Sequence, residues 1–329
     1  MLTPRQNFEE VLKGGNPDRY VNQYEYMQII GGAPIRDFTL DDEGCMTDEW
    51  GVTYLVKGQP GRIPVHDAQH LVVDDITTWR DVVKSPANLW DDPAVWEKKI
   101  EQAEAVDTSQ VFRASSVAPG IYERLHSLHE MTRTLMDMFD HPQETKDLIK
   151  AITENELKQA EAICKYIKPE IIFHHDDWGS ASSTMFSPDM FEEFLLEPGK
   201  EVYGYYKDHG CKYVVHHSDS YAASLVPYMI EMGIDVWQGA LLESNNIPEL
   251  IEKYGDKITI MGGIENQYVD TLDWTPESVD AAVDKCLDTV KSKVHFIPCL
   301  TMGAAQSLNK GVYDQVSKRI DERSKIDFA

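Results

Sequence analysis

The chain has 329 residues, 42% of them hydrophobic, enough to bury a large α/β core. Its formal net charge of −25 argues against nucleic acid or an anionic membrane as a partner and favours solubility, with a basic protein surface as a complementary partner. No apolar run approaches the length of a membrane span, and Met1-Leu2-Thr3-Pro4-Arg5 offers no signal core, so a cytoplasmic protein is expected.

Thr3-Pro4-Arg5-Gln6 has the pattern of a helix start, with Thr3 as N-cap and Gln6 reaching back to it. Phe8, Val11 and Leu12 give that helix an apolar face, and Gly14-Gly15-Asn16-Pro17 ends it. From about Ile30 to Asn88 the chain holds short strands, turns and many acids, without strong periodicity. Residues 1–88 therefore read as an N-terminal elaboration covering a larger scaffold.

A regular rhythm follows. Val111-Phe112 reads as a strand, and Leu128, Leu135, Met136 and Phe139 as the apolar positions of a helix. Leu148 through Ile167 form a long amphipathic helix, then Ile171-Ile172-Phe173 a short buried strand. A helix opens at Ser187-Pro188-Asp189, kinks near Pro198-Gly199 and stops near Gly210. Strands at 213–216, 234–237, 258–262 and 294–298 then alternate with helices at 221–232, 247–254 and 276–290, and a final helix spans about 310–322.

Short apolar strands alternating with helices predict parallel βα units. No Gly-rich dinucleotide fingerprint follows any strand. The predicted fold is α/β, a single (β/α)8 TIM barrel over residues 1–329 with an elaborated N-terminal segment. In such barrels the site lies at the C-terminal ends of the strands. Polar clusters fall there repeatedly: His174-His175-Asp176-Asp177-Trp178, His217-Ser218-Asp219, Trp237-Gln238, Gly262-Gly263-Ile264-Glu265-Asn266 and Cys299.

The five cysteines, Cys45, Cys164, Cys211, Cys286 and Cys299, are odd in number and contain no C-x-x-C, so they are not a disulfide framework. Only Cys299 gains a chemical role from its place after a strand. His217, Asp219 and Cys299 together predict a zinc site with an exchangeable position, with Glu265 as a further ligand or a catalytic neighbour. Adjacent residues leaving a strand point different ways, so His174 and His175 do not both face the cleft. Asp177 is expected to face it and orient a substrate, with Trp178 as an apolar wall. Tyr24, Tyr26 and Met27 form an aromatic, apolar patch that fits either a packed strand or a pocket lining.

Asn16-Pro17-Asp18-Arg19, Asp48-Glu49-Trp50-Gly51, Asp176-Asp177-Trp178-Gly179-Ser180, Ser187-Pro188-Asp189-Met190-Phe191 and His217-Ser218-Asp219 together resemble the uroporphyrinogen decarboxylase superfamily over almost the whole chain. That resemblance implies the same (β/α)8 barrel. Decarboxylases of the superfamily carry an N-terminal Arg-Gln-Ala-Gly-Arg signature that grips substrate carboxylates. Val21-Asn22-Gln23-Tyr24-Glu25-Tyr26-Met27-Gln28 stands in its place, with no arginine, which disfavours decarboxylation.

The other branch, cobamide-dependent methyltransferases, binds zinc through a His-x-Cys-Gly pair and a late Cys. His217-Ser218-Asp219-Ser220 is similar to the pair with Asp in place of Cys, and Cys299 to the late Cys. A carboxylate in place of a thiolate leaves a harder zinc, suited to an oxygen substrate. The chain thus resembles the methyltransferase I component of anaerobic aromatic O-demethylases. The resemblance implies Zn2+, an aromatic methyl ether as substrate, and a cobamide supplied by a separate corrinoid protein. Tyr24, Tyr26, Met27, Trp178 and Trp237 would then bind the substrate ring. Methyl transfer to a thiol of the coenzyme M type, a decarboxylase and a non-catalytic barrel subunit stay open, as does assembly into a homo-oligomer.

Overall fold

The computed structural model describes residues 1–34, 39–59, 61–86 and 90–329. It begins with the helix expected from the sequence, α1 (Pro4–Leu12), closed by a capping box between Thr3 and Gln6. Strand β1 (Met27–Ile29) follows, and then a small antiparallel sheet, β2 (Cys45–Thr47), β3 (Thr53–Leu55) and β4 (Ile63–Pro64). Asp48 shapes the β2–β3 turn by accepting hydrogen bonds from Trp50 N at 2.9 Å and Val52 N at 3.0 Å. Two short helices, α2 (Trp79–Val82) and α3 (Glu97–Glu104), complete the described N-terminal elements.

Six βα-type units carry the rest of the sheet. Its strands are β5 (Phe112–Val117), β6 (Ile171–His175), β7 (Tyr213–His217), β8 (Val236–Ala240), β9 (Thr259–Ile264) and β10 (Phe296–Leu300). With β1 they form one parallel sheet of seven strands in the order β1-β5-β6-β7-β8-β9-β10. The sheet curls into the expected TIM-barrel-like form. Met27, Phe112, Ala114, Phe173, Val215, Val236, Met261 and Ile297, from all seven strands, meet in one inner cluster. Between β10 and β1, Gln23 bridges the edges: its Oε1 accepts from Leu300 N at 3.3 Å.

Period-two alternation sorts the side chains. In β7, Val215 faces inward with the inner cluster, whereas Val214 joins the outer layer under the helices. Phe8 of α1 plugs the lower end, stacked on Tyr26 at 4.0 Å between centroids. Truncating this fully buried ring to alanine would cost roughly 3–5 kcal/mol.

The outer helices are α4 (Ile121–His129), α5 (Met131–Asp140), α6 (Pro142–Tyr166), α7 (Pro188–Phe191), α8 (Glu197–Asp208), α9 (Val226–Met232), α10 (Ile247–Tyr254), α11 (Asn266–Val269), α12 (Pro276–Val290) and α13 (Val312–Asp327). The single helix expected around Leu128–Phe139 is two. Glu130 adopts φ 68° and caps the second, accepting from Thr132 N and Arg133 N. That break turns α5, so Met136 and Phe139 face solvent while Thr134 and Met138 are buried. The expected kink near Pro198 is a π-helical turn, Glu192–Leu196, joining α7 to α8. Proline lacks the N–H that would continue the ladder, and the widened turn absorbs the missing bond. No helix among the described residues is long and apolar enough to cross a membrane.

Candidate metal centre

Strands β6 and β7 end on the same pattern, Ile172-Phe173-His174-His175 beside Val214-Val215-His216-His217. They pair in parallel register with His174 opposite His216 and His175 opposite His217. Alternation then turns the two pairs to opposite faces. His174 and His216 point outward, where Tyr203 Oη lies 3.1 Å from His174 Nδ1 and 2.9 Å from His216 Nδ1, and Glu156 lies 2.5 Å from His174 Nε2. His175 and His217 turn the other way, to the mouth of the barrel, with ring centroids 4.3 Å apart.

Asp177 completes a group. Ligand atoms of His175, Asp177 and His217 all lie within 4.8 Å of one another. Asp177 Oδ2 is 3.4 Å from His175 Nε2, and its Oδ1 is 3.8 Å from His217 Nε2. Burial opposes ionisation of Asp177, but the His175 hydrogen bond and the neighbouring imidazoles outweigh it and hold the carboxyl below the usual range. Burial likewise opposes the charge on His175, yet Asp177 and Glu123 raise it well above the ordinary imidazole value.

His217 is different. Burial, reinforced by the charge of His175, pushes it down to about 4, so it is neutral. Its Nδ1 is in short contact with Gln238 Oε1. The other end of the Gln238 amide donates to Leu300 O at 3.0 Å and Thr301 O at 3.3 Å, which fixes the acceptor end toward His217. The proton therefore sits on Nδ1 and the lone pair on Nε2, facing Asp177. Gly303 packs flat against the other side of the ring; a Cβ there would come within 2.8 Å of the imidazole.

Asp176 supports the group from behind. It accepts from Tyr122 N at 3.0 Å and Glu123 N at 2.8 Å, capping α4 from across the loop. Gly120 permits this approach, since a Cβ at that position would lie 2.5 Å from Asp176 Cβ. The capped helix places Glu123 Oε1 3.5 Å from His175 Nε2.

Two imidazoles and a carboxylate make a donor set of the kind that holds a catalytic zinc with an open position. Tetrahedral zinc with bonds of about 2.0–2.2 Å spaces its donors about 3.3–3.6 Å apart. The His175–Asp177 pair already has that spacing, and His217 presents a lone pair rather than a proton.

The structure gathers the expected residues only in part. His217 and Asp177 come together; Asp219 and Cys299 lie outside the group. Asp219 is exposed at the rim, donates its backbone N–H to Asp177 Oδ1 at 3.1 Å, and is pushed up to about 7 by surrounding protein and the Asp177 charge. Cys299 is fully buried in the inner cluster, with the Gln238 amide 4.0 Å away, and burial raises its thiol. Glu265 is occupied with the loop beyond β8, accepting from Leu242 N at 3.1 Å and from Gln267 Nε2 at 2.7 Å.

The expected ring-binding residues need correction. Trp178 and Trp237 face the helices: Trp178 stacks on His216 at 3.8 Å, and Trp237 donates to Ser218 O at 3.0 Å. Each sits at the strand phase opposite to the site. Tyr26 belongs to the lower plug. Tyr24 and Met27 border a cavity of about 490 Å3 against α13.

A larger cavity, about 710 Å3, opens beside His175. It lies between the ends of β1 and β5, α4 and the small sheet, and Tyr54, Arg62, Lys99, Ser116, Glu123 and His126 are among its lining residues. Arg124 ties the small sheet over it by an ion pair to Asp48 at 2.5 Å. Sequence reading missed His175, Gln238 and this cationic lining. The two matched His-His strand ends were the available signal for His175; nothing local marks Lys99 or Arg62.

The uroporphyrinogen decarboxylase (URO-D) family matches residues 125–310. No curated protein matches the chain. Among solved structures, a methyltransferase from Methanosarcina mazei superposes with a TM-score of 0.70 at 14% identity, covering 98% of this chain and 99% of its own, and this likeness shows the fold. A D-allulose 3-epimerase from Methylomonas sp. covers 71% of this chain and 92% of its own at 11% identity, with a TM-score of 0.37, too low to carry an argument.

Proposed function

The chain belongs to the uroporphyrinogen decarboxylase family, and from that premise we propose that it is a zinc-dependent methyltransferase. It moves a methyl group from an aromatic methyl ether to the cob(I)amide of a separate corrinoid protein. The observation that carries this reading is the register-paired His175 and His217 with Asp177 at the mouth of the barrel, beside a cavity of small-molecule size. The Methanosarcina mazei methyltransferase of similar fold supports it.

His175, Asp177 and His217 would hold the metal. Bound there, zinc would act as a Lewis acid that stabilises the charge developing on the departing phenolate oxygen. The absence of a thiolate from this donor set suits an oxygen leaving group. Gln238 keeps His217 in the ligating tautomer, and Glu123 orients His175. Substrate occupies the 710 Å3 cavity, with the ether oxygen toward His175. The mouth stays accessible to the corrinoid protein, because Asp177 and His175 each keep about a third of their side chain open.

The test is a methyl-transfer assay with the zinc-loaded protein, a reduced corrinoid protein and a panel of methoxyarenes. Methylcobamide absorption should appear with the wild type and vanish in His217→Ala along with the metal. A folded, metal-free protein with full activity would overturn the reading, as would turnover of coenzyme M-type thiols alone.

A further inference from the structure

The outward faces of β6 and β7 carry a buried polar network that the metal group does not use. Glu156 of α6 meets His174 Nε2 at 2.5 Å, and Tyr203 Oη of α8 lies 3.1 Å from His174 Nδ1 and 2.9 Å from His216 Nδ1. All four side chains are buried. The network thus runs from one helix to a strand, to the next helix and to the neighbouring strand. Trp178 covers its far end, stacked on His216 at 3.8 Å.

Burying a carboxylate, a phenol and two imidazoles is costly, and apolar side chains would fill the same layer at less cost. What a hydrogen-bonded set adds is a fixed arrangement. Leucine and valine tolerate sliding between helix and sheet, whereas these bonds hold at one relative placement. The neighbours in sequence are the residues so placed: His174 precedes His175 and His216 precedes His217, in paired register. An outward ring and an inward ligand on adjacent residues share one planar peptide unit, so holding the first sets the backbone from which the second projects.

Tyr203 is the link on which the network depends. A hydroxyl has one proton and two lone pairs, so it donates to one ring and accepts from the other. His216 Nε2 has no partner, which leaves Tyr203 Oη as the hydrogen-bond partner of that ring among the described residues. Without the hydroxyl, the His216 ring keeps only its packing, and the outer tie between β6 and β7 is lost.

We propose that Tyr203 is a positioning residue: by bonding His174 and His216 at once from outside the sheet, it fixes the spacing of His175 and His217 for the metal. The role rests on the zinc reading of that pair; the hydrogen-bonded network does not.

Tyr203→Phe removes one oxygen and keeps the ring. Zinc affinity, read by chelator competition, should fall about tenfold, the lower end of what losing an outer partner of a metal ligand costs. Cobalt(II) bound in place of zinc should lose intensity in its visible bands, because a loosened pair no longer holds a tetrahedral ion. Phe8→Leu, at the lower end of the barrel, should reduce stability and leave both readings at their wild-type values. His216→Leu should weaken zinc binding as Tyr203→Phe does, and the two together no more than either alone, because they cut the same bond. His216→Asn, which puts an amide atom near the place of Nδ1, should recover most of the affinity. Wild-type affinity and cobalt spectrum in Tyr203→Phe, additive losses in the double variant, or an equal loss in Phe8→Leu would each overturn the role. If Tyr203→Phe does not fold, the His216 pair decides, and equal affinity in His216→Leu and His216→Asn overturns it. A wild type that binds neither metal overturns the zinc reading and this role with it. A wild type that binds both metals and shows the Tyr203 effect, yet methylates no corrinoid, keeps the role and removes the methyl-transfer reading.

Discussion

Gln238→Leu isolates the tautomer of His217. The amide is fully buried: Oε1 meets His217 Nδ1, and Nε2 donates to Leu300 O and Thr301 O and lies 4.0 Å from Cys299 Sγ. Leucine has similar volume, so the change removes hydrogen bonds with little change in packing. Without the acceptor, His217 no longer favours the Nδ1–H form, and the lone pair on Nε2 is no longer guaranteed. Loss of an outer partner of a metal-bound histidine weakens metal binding about 10- to 100-fold, equivalent to roughly 1.4–2.7 kcal/mol. Three groups are left unsatisfied, each at a cost of roughly 1–3 kcal/mol, so a loss of about 3 kcal/mol or more is expected. Zinc competition against a chromophoric chelator reads the first quantity, and thermal unfolding the second. Gln238→Glu separates the two: it keeps an acceptor for His217 and loses the donors to β10, so zinc affinity should hold or rise while stability falls. A folded Gln238→Leu protein with wild-type zinc affinity would refute the tautomer argument.

Cys299→Ser should retain stoichiometric zinc, because the thiol lies outside the His175–Asp177–His217 group, and should cost roughly 1 kcal/mol from the poorer packing of a buried hydroxyl. Loss of metal in that variant would return Cys299 to the ligand set. Gly303→Ala drives a methyl group into the His217 ring and is expected to weaken zinc binding about tenfold. Unchanged affinity would mean that the loop after β10 yields freely. Asp284 ties α12 to α13 through Arg319, at 3.0 and 2.7 Å, and Arg323, at 3.1 Å. The Arg319 hydrogen bond leads in lowering its pKa, which burial opposes. A depressed carboxylate contributes stability that is complete above the unfolded value of about 4 and lost as pH falls through the lower folded value. Asp284→Asn should therefore unfold about 1 kcal/mol more easily at pH 7 and match the wild type near pH 2, as followed by denaturant titration; a gap that persists in acid would contradict the assignment.

Legibility of the chain followed the range of the interactions. Helix α1 is announced by Thr3, Pro4 and Gln6 because capping is settled within four residues. The strands announce themselves because a buried parallel strand must be apolar on both faces. The break at Glu130 was not legible, since it depends on a residue accepting a positive φ to cap the next helix. Composition alone puts Trp178 and Trp237 at the mouth, because one follows a strand and the other lies in one near polar residues. Their outward phase is fixed by register, and a one-residue step moves a side chain to the other face of the sheet.

The site divides along the same line. By itself the sequence determined that residues 111–300 alternate as parallel βα units, that their polar residues collect at the strand ends, and that His217 and Asp177 belong to that collection. Periodicity and composition are local quantities, so they survive in one dimension. Tertiary structure alone decided which donors share a point: His175 beside His217, Gln238 behind it, Cys299 beneath the group and Lys99 across the cavity. Those relations span up to some 200 residues of chain, from Lys99 to Cys299, and only strand register and the curl of the sheet bring them together or leave them apart.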